Sequence, residues 1–366
     1  MSATLLGIDN KLLSWMLLFV PLAVVAKWQK FDPLLVFFFA GLAIIPLAAM
    51  IANATEHIAG TLGAALGGLL NATFGNATEM VISIVALHEG LVDVVKASIS
   101  GTVIANLLLA LGAGMFLGGL KHPEQEFKSR VARINASSLN LALVVMLTPS
   151  AIHYTSPGLK SLTIDHFSLV AASLLLAFYV LSLLFSMKTH RFFYETNLNG
   201  DNGTLPGAAS AAETPPIGKE VGILLGASVV LVVVSEVLVS SLETAIQTVG
   251  LTPLFTGVIL IPLFGGVVEY IAVITFARKN KMDLAVSVAM GSSLQIALFV
   301  APVLVFAGQL MGQPMNLEFE PFELMAVAMA VLITNSISTD GRSNWLEGVL
   351  LLVTYGTVAA AFFFHP

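Results

Sequence analysis

Two glutamates, Glu79 and Glu269, stand inside long apolar runs, "LLNATFGNATEM" and "ILIPLFGGVVEY". A glutamate at the bilayer centre costs at least about 2.5–3.5 kcal/mol, so such a residue faces a partner or a wet cavity. The residues before Glu79 include Asn71, Thr73, Gly75, Asn76 and Thr78, which weaken a helix and offer oxygens. Before Glu269, Pro262 removes a backbone donor, and Gly265 with Gly266 tolerates a break. Two broken helices are expected, each with a carboxylate just after its break. Free carbonyls would come from Ala72, Thr73 and Gly75 in one, and from Pro262, Gly265 and Gly266 in the other. The helices that follow add polar side chains: Thr102 and Asn106 in "SGTVIANLLL", and Ser292, Ser293 and Gln295 in "MGSSLQIALF".

Carboxylates, amides, hydroxyls and carbonyls are the ligand chemistry of a hard cation. Ca²⁺ takes six to eight oxygens at about 2.3–2.6 Å. The chain has no cysteine and no two histidines four apart, which argues against zinc or copper. Low-dielectric burial and a second carboxylate both disfavour a charged acid, while a dication favours it. Proton and metal then compete for one site, and that competition is the physical requirement of cation/proton antiport.

The elements that position these groups must be membrane helices. The chain is 57% hydrophobic and only 10% charged over 366 residues, with a mean hydropathy of +0.92. A soluble chain carries roughly a quarter charged residues. Its apolar runs are continuous and long enough to span a bilayer as helices, without the alternation of a barrel. The expected fold is all-α and polytopic, with about eleven spans near 10–27, 33–53, 59–87, 94–120, 131–151, 163–187, 219–248, 252–277, 284–310, 320–338 and 345–364. The first run, near Leu12 to Val25, lacks a cleavage pattern and reads as a retained helix. The polar stretch 188–218, rich in Gly, Asn, Pro and Ser, reads as a solvated linker.

Displaced by 190 positions, the chain matches itself. Gly75 falls on Gly265, Glu79 on Glu269, Asp93 on Asp283, Gly101 on Gly291 and Thr102 on Ser292; Gly60 on Gly250, Gly67 on Gly257 and Phe74 on Phe264 extend the register. The reading is an extra N-terminal helix (1–32), a first five-helix repeat (33–187), the linker (188–218) and a second repeat (219–366). Five is odd, so the second repeat runs inverted, as in secondary transporters that bind near the midplane. Twelve of the sixteen Lys and Arg residues fall on the side of the N-terminus and linker, which is therefore expected to be cytoplasmic. The basic run Lys121 to Arg133 is an orientation signal on this reading, and no nucleic-acid partner is expected. The compact loops suggest a prokaryotic plasma membrane.

"GNATE" followed by "ASISGTVIANLLLALG", and "VEYIAVITFARKNKMDLAVSVAMGSSLQIALFV", closely resemble the two signature repeats of Ca²⁺/H⁺ antiporters. These form the cation/proton branch of the cation/Ca²⁺ exchanger superfamily. The resemblance implies eleven helices, Ca²⁺ and H⁺ as transported ions, no resident cofactor and no enzymatic activity. It also implies that Glu79 and Glu269 are both the metal ligands and the proton carriers. Thr102 stands where the family commonly has Ser, and Ser292 and Gln295 match the second repeat's polar positions. One departure stands out: the second motif commonly reads Gly-Asn-Ala-x-Glu, but here Gly266 replaces the amide. The linker's acidic helix is thin, reduced to Glu195, Asp201 and Glu213.

Other polar residues have plainer readings. Glu56, Glu236 and Glu243 read as span-end residues, His57 and His88 as loop edges, and Asp93 and Asp283 as caps at helix starts. Rival functions are a sodium-coupled exchanger, an antiporter for another divalent such as Mn²⁺, a channel and an intramembrane hydrolase. Neutral Ser292 and Gln295 with Asn76 before Glu79 favour protons over sodium. Duplicated broken helices suit alternating access better than a pore. No nucleophile elbow, paired aspartyl site or His-Glu zinc motif is present.

Overall fold

Backbone groups in lipid have only one another as partners, so charge-poor runs cross as helices. The computed structural model follows this rule between Asn10 and Phe364. It describes residues 4–5, 8–156, 161–194 and 216–365. Lys160 and residues 195–215 of the linker, including Glu195, Asp201 and Glu213, lie outside the described residues, as does the side chain of Glu243.

Helices α1 (Asn10–Met16) and α2 (Phe19–Trp28) form the first span. Helix α3 (Pro33–Phe74) starts on a capped turn, with Asp32 accepting from the Leu34 amide at 2.9 Å and Pro33 in the first turn. Its 42 residues would reach about twice across a bilayer core if straight. They do not run straight. Ala59 and Gly67, about 12 Å apart on an ideal helix, are in contact, so the chain folds back between them. This one helical run thus covers ground where the sequence places two spans, 33–53 and the start of 59–87.

After a break at Gly75–Asn76 the chain continues as α4 (Ala77–His88) and α5 (Val92–Ile104). A π-helical stretch, Ala105–Ala110, leads into α6 (Leu111–Gly119). The first half ends with α7 (Ser129–Thr155), α8 (Ser161–Leu184) with its π-helical extension Phe185–Thr189, and α9 (Arg191–Tyr194).

The second half begins with α10 (Ile217–Val249), which packs along α3. Helix α11 (Pro253–Phe255), a π-helical stretch Thr256–Leu260 and α12 (Ile261–Gly265) then meet α13 (Val267–Arg278) at a bend of 61°. Helix α14 (Met282–Gln295) passes through π-helical Ile296–Val300 into α15 (Ala301–Met311), followed by α16 (Pro321–Ile337) and α17 (Trp345–Phe364).

Among the described residues eight helices are long and apolar enough to span a membrane, and the bent pair makes a ninth. The shorter apolar helices α4 and α16 stand where the sequence places parts of the spans 59–87 and 320–338. Burial orders the layers. In the α5–α6 span 83% of the most apolar stretch is buried, against 17% in the first span, so α5–α6 lies at the centre and α1–α2 at the lipid edge.

Backbone details repeat at the 190 spacing. Gly90 and Asn280, equivalent in that register, both adopt positive φ, at 78° and 57°. Both central spans turn π-helical beside their polar residues, the first at Ala105 next to Asn106 and the second at Ile296 after Gln295. On the linker side, Gln125–Glu126 pairs antiparallel with Arg342–Ser343, and Arg342 Nη1 meets Glu124 Oε1 at 2.8 Å. On the opposite side, Lys96 Nζ donates to Asn316 Oδ1 at 2.7 Å and to the Glu318 carbonyl at 2.8 Å. These contacts clamp the halves together at both ends of the bundle.

Candidate cation site

The two helix breaks meet. A small cavity is lined by Phe74, Gly75 and Thr78 from the first break, by Gly265, Val268 and Glu269 from the second, and by Ala48, Ile51 and Ala52 of α3. A methyl group on Gly265 would lie 3.6 Å from Glu79 Cγ, so the Glu79 side chain crosses that glycine. Glu79 is 9% exposed and within electrostatic reach of Glu269. Glu79 Oε1 and Glu269 Oε2 are buried without a hydrogen-bond partner among the described residues. A buried acceptor left unmade costs about 1–3 kcal/mol, more when charged. The arrangement leaves two acids with free oxygens between two chain breaks.

Each break is narrower than its sequence implies. Ala72 and Thr73 remain within helical α3, and the Thr73 hydroxyl donates to the Leu69 carbonyl at 2.9 Å. Pro262 and Gly265 likewise stay inside α12. Helical geometry is lost at Asn76 (φ −116°, ψ 32°) and at Gly266 (φ −85°, ψ 8°). Four backbone candidates therefore flank the breaks, and the turn itself is about one residue wide. Local hydrogen bonds into the preceding helix account for this: the Gly75 amide reaches the Asn71 carbonyl, and the Gly266 amide the Pro262 carbonyl.

The neutral residues divide into two groups. Asn106 Nδ2 donates to Ser292 Oγ at 3.0 Å, and Ser292 Oγ donates to Asn76 Oδ1 at 3.0 Å. The Asn76 amide in turn donates to Gln295 Oε1. This chain alternates between halves, joining α5's π-helical extension, α14 and the first break beside Glu79. Gly75 permits it, since a side chain there would lie 3.3 Å from Gln295 Oε1 and 2.5 Å from the Asn71 carbonyl. Thr102 and Ser293 stay outside the chain. Their hydroxyls donate to carbonyls one turn back in their own helices, Ser98 at 2.8 Å and Ala289 at 2.9 Å. A hydroxyl has a single proton to donate, and here the helix takes it.

Tyr270 was not among the residues singled out by sequence. Its hydroxyl donates to the Pro262 carbonyl at 2.8 Å, spanning the second break. A methyl on Gly266 would lie 2.6 Å from the Tyr270 oxygen and 2.7 Å from Cζ. The ring thus occupies the space that an asparagine at 266 would need, and the missing amide has a physical reason. The signal was present: Tyr270 falls on Met80 in the repeat register, so the two breaks differ at both positions together.

Three peripheral residues stand otherwise than the sequence suggests. Asp283 accepts from the backbone amide of Lys128 and so caps the start of α7, not its own helix. His57 lies within α3 and meets Glu220 Oε2 at 3.4 Å. Glu236 stands well inside α10, with its side chain exposed, because that helix is 33 residues long. No group of three or more His, Cys, Asp or Glu residues suited to a metal occurs among the described residues. A cation between Glu79 and Glu269 would draw its remaining oxygens from amides, hydroxyls, carbonyls or water.

Comparison with known proteins bears on this geometry. The family described as "Sodium/calcium exchanger protein" matches residues 33–188 and 219–364. The chain is 52% identical over 364 residues to a Ca²⁺/H⁺ antiporter of Aphanothece halophytica, covering 98% of this chain and 97% of that one. It is 50% identical over 365 residues to a Ca²⁺/H⁺ antiporter of a Synechocystis species, covering 98% of each. Its fold superposes on the structure of native YfkE with a TM-score of 0.82 at 35% identity, over 96% of this chain and 99% of that one. The chain is a multi-span membrane transporter and belongs to the sodium/calcium exchanger protein family.

Proposed function

We propose that this transporter exchanges Ca²⁺ for H⁺ by alternating access, with Glu79 and Glu269 accepting either one Ca²⁺ or protons. The observation that carries this reading is the meeting of the two breaks at one cavity lined by Glu269, with Glu79 packed across Gly265 beside it and an unpartnered oxygen on each acid. The printed names of its relatives support the choice of ions. With both acids ionised, the pair offers a dication up to four carboxylate oxygens. The Asn76 and Gln295 amide oxygens, each accepting one hydrogen bond here, keep a second lone pair to offer the metal. Proton arrival neutralises the acids and removes the charge that holds the metal. A state with neither is disfavoured, because two bare carboxylates would face each other in low dielectric.

On this reading the halves are 33–187 and 219–366, inverted relative to each other, with 1–32 as an extra helix and 188–218 as linker. The two family matches support those limits. We place the N-terminus and linker in the cytoplasm of a prokaryotic plasma membrane. Packing supports a conformation closed away from the linker. Gly101 of α5 abuts the Val258 carbonyl and Gly257 abuts Ala97, whereas a methyl on the Gly101-equivalent Gly291 would meet no described atom within 4 Å beyond its own helix turn.

The test is uptake of radioactive Ca²⁺ into proteoliposomes. A pH gradient, acid inside, in sodium-free buffer should drive accumulation, and collapsing the gradient should release it. Uptake that requires a sodium gradient and ignores the pH gradient would refute proton coupling. Mn²⁺ added in the same assay measures divalent selectivity by competition.

A further inference from the structure

We propose that the groove between α7 and α8 on the linker side is a binding site for an anionic phospholipid. An open groove of about 790 Å³ is lined by Arg130, Arg133, Ile134, Ser137, Ser138 and Leu141 of α7 and by Phe178 of α8. The α7 residues recur at three- and four-residue steps, which places them in one stripe along the helix. The stripe is graded. Two arginines stand in the first turns after Ser129 with Ile134 beside them, serines follow, and Leu141 and Phe178 form the far end.

Its length suits one leaflet. From Arg130 to Leu141 the helix rises about 16 Å, close to half of the roughly 30 Å hydrocarbon core. The arginines then sit at headgroup depth and the apolar end among acyl chains. Arg130 is held in place, its guanidinium carbon 3.8 Å from the Phe193 ring centre of α9. Stacking fixes the plane of a guanidinium while leaving its edge donors free for a phosphate. Among the described residues neither Arg130 nor Arg133 is paired with a carboxylate. Ser137 and Ser138 give their protons to carbonyls of their own helix, at 2.9 Å and 3.0 Å, so the arginines are the donors the groove presents.

This gradient selects its occupant. A free phosphate would use the arginines and leave the apolar half empty. A soluble acidic segment would have to enter hydrocarbon to fill it. An anionic diacyl lipid satisfies both ends, and basic pockets between membrane helices recognise such headgroups. The basic stretch therefore does more than orient the chain.

The experiment follows thermal unfolding of the full-length protein in neutral detergent, titrated with dioleoyl phosphatidylglycerol, dioleoyl phosphatidylcholine or glycerol 3-phosphate. Phosphatidylglycerol should raise the unfolding midpoint by about 3–5 °C in a saturable way, and the other two should not. The double variant Arg130→Gln/Arg133→Gln should lose that shift, while Lys281→Gln, an exposed charge on the same side, should keep it. An equal shift with phosphatidylcholine or glycerol 3-phosphate, or a shift surviving in the double variant, would overturn the proposal. Should the double variant fail to fold, a photoactivatable phosphatidylglycerol on the wild type decides. Labelling of residues 129–141 or of α8 supports the site, and labelling confined to other helices overturns it.

Discussion

Ser292 sits between two amides from the opposite half, accepting from Asn106 and donating to Asn76. Removing its hydroxyl leaves a buried donor and a buried acceptor unmade, at about 1–3 kcal/mol. Ser292→Ala should therefore lower thermal stability by that amount and raise the Ca²⁺ concentration for half-maximal exchange. Ser293→Ala, which removes a bond within one helix, should leave both near wild type. Thermal melts and uptake curves on the two variants check the contrast, and equal effects would remove the network from the site. The carboxylates themselves predict a pH dependence. On the proposed mechanism protons and Ca²⁺ compete for the same oxygens, so apparent Ca²⁺ affinity should fall as pH falls, by up to about tenfold per unit for each proton displaced. Calorimetric titration at three pH values measures the slope. Glu79 and Glu269 were legible in the sequence because a charge in an apolar run is conspicuous. The roles of Thr102 and Ser293 were not, because helix back-bonding depends on rotamers that residue type does not specify.

At the scale of the helix, the second break is built by Gly266 and Tyr270 acting together. Gly266→Asn, which restores the residue common in the family, should clash with the Tyr270 ring and destabilise the fold by about 1–3 kcal/mol. Adding Tyr270→Met, the residue found at Met80, should recover part of that loss, with a coupling of at least about 0.5 kcal/mol. A double-mutant cycle from thermal or denaturant unfolding checks it, and strict additivity would mean that the two positions are independent. Glycine, asparagine and proline announced both breaks in the sequence. Their width did not show there, since the last helical hydrogen bonds extend up to Gly75 and Gly266. Nor did the fold-back between Ala59 and Gly67, where the chain turns without leaving helical hydrogen bonding and no proline or polar loop marks the corner.

For the whole molecule, the distribution of Lys and Arg predicts an orientation that labelling can check. The chain has no cysteine, so single cysteines report without background. In intact cells an impermeant maleimide should label Glu89→Cys and spare Lys121→Cys until the membrane is permeabilised; both positions are exposed. The reverse pattern would invert the proposed topology. The 190-residue register is readable because both acids keep it, and the contacts at the two ends of the bundle are not, because Arg342 with Glu124 and Lys96 with Asn316 join segments far apart in sequence. Exchange at this scale reduces to one claim: metal and protons replace each other at Glu79 and Glu269. The most direct measurement adds Ca²⁺ to weakly buffered, purified protein and counts the protons released. The wild type should release between about one and two per Ca²⁺ bound, given two titrating acids, and Glu79→Gln and Glu269→Gln should each abolish both binding and release. Tight Ca²⁺ binding without proton release, or unchanged release from either variant, would contradict the account.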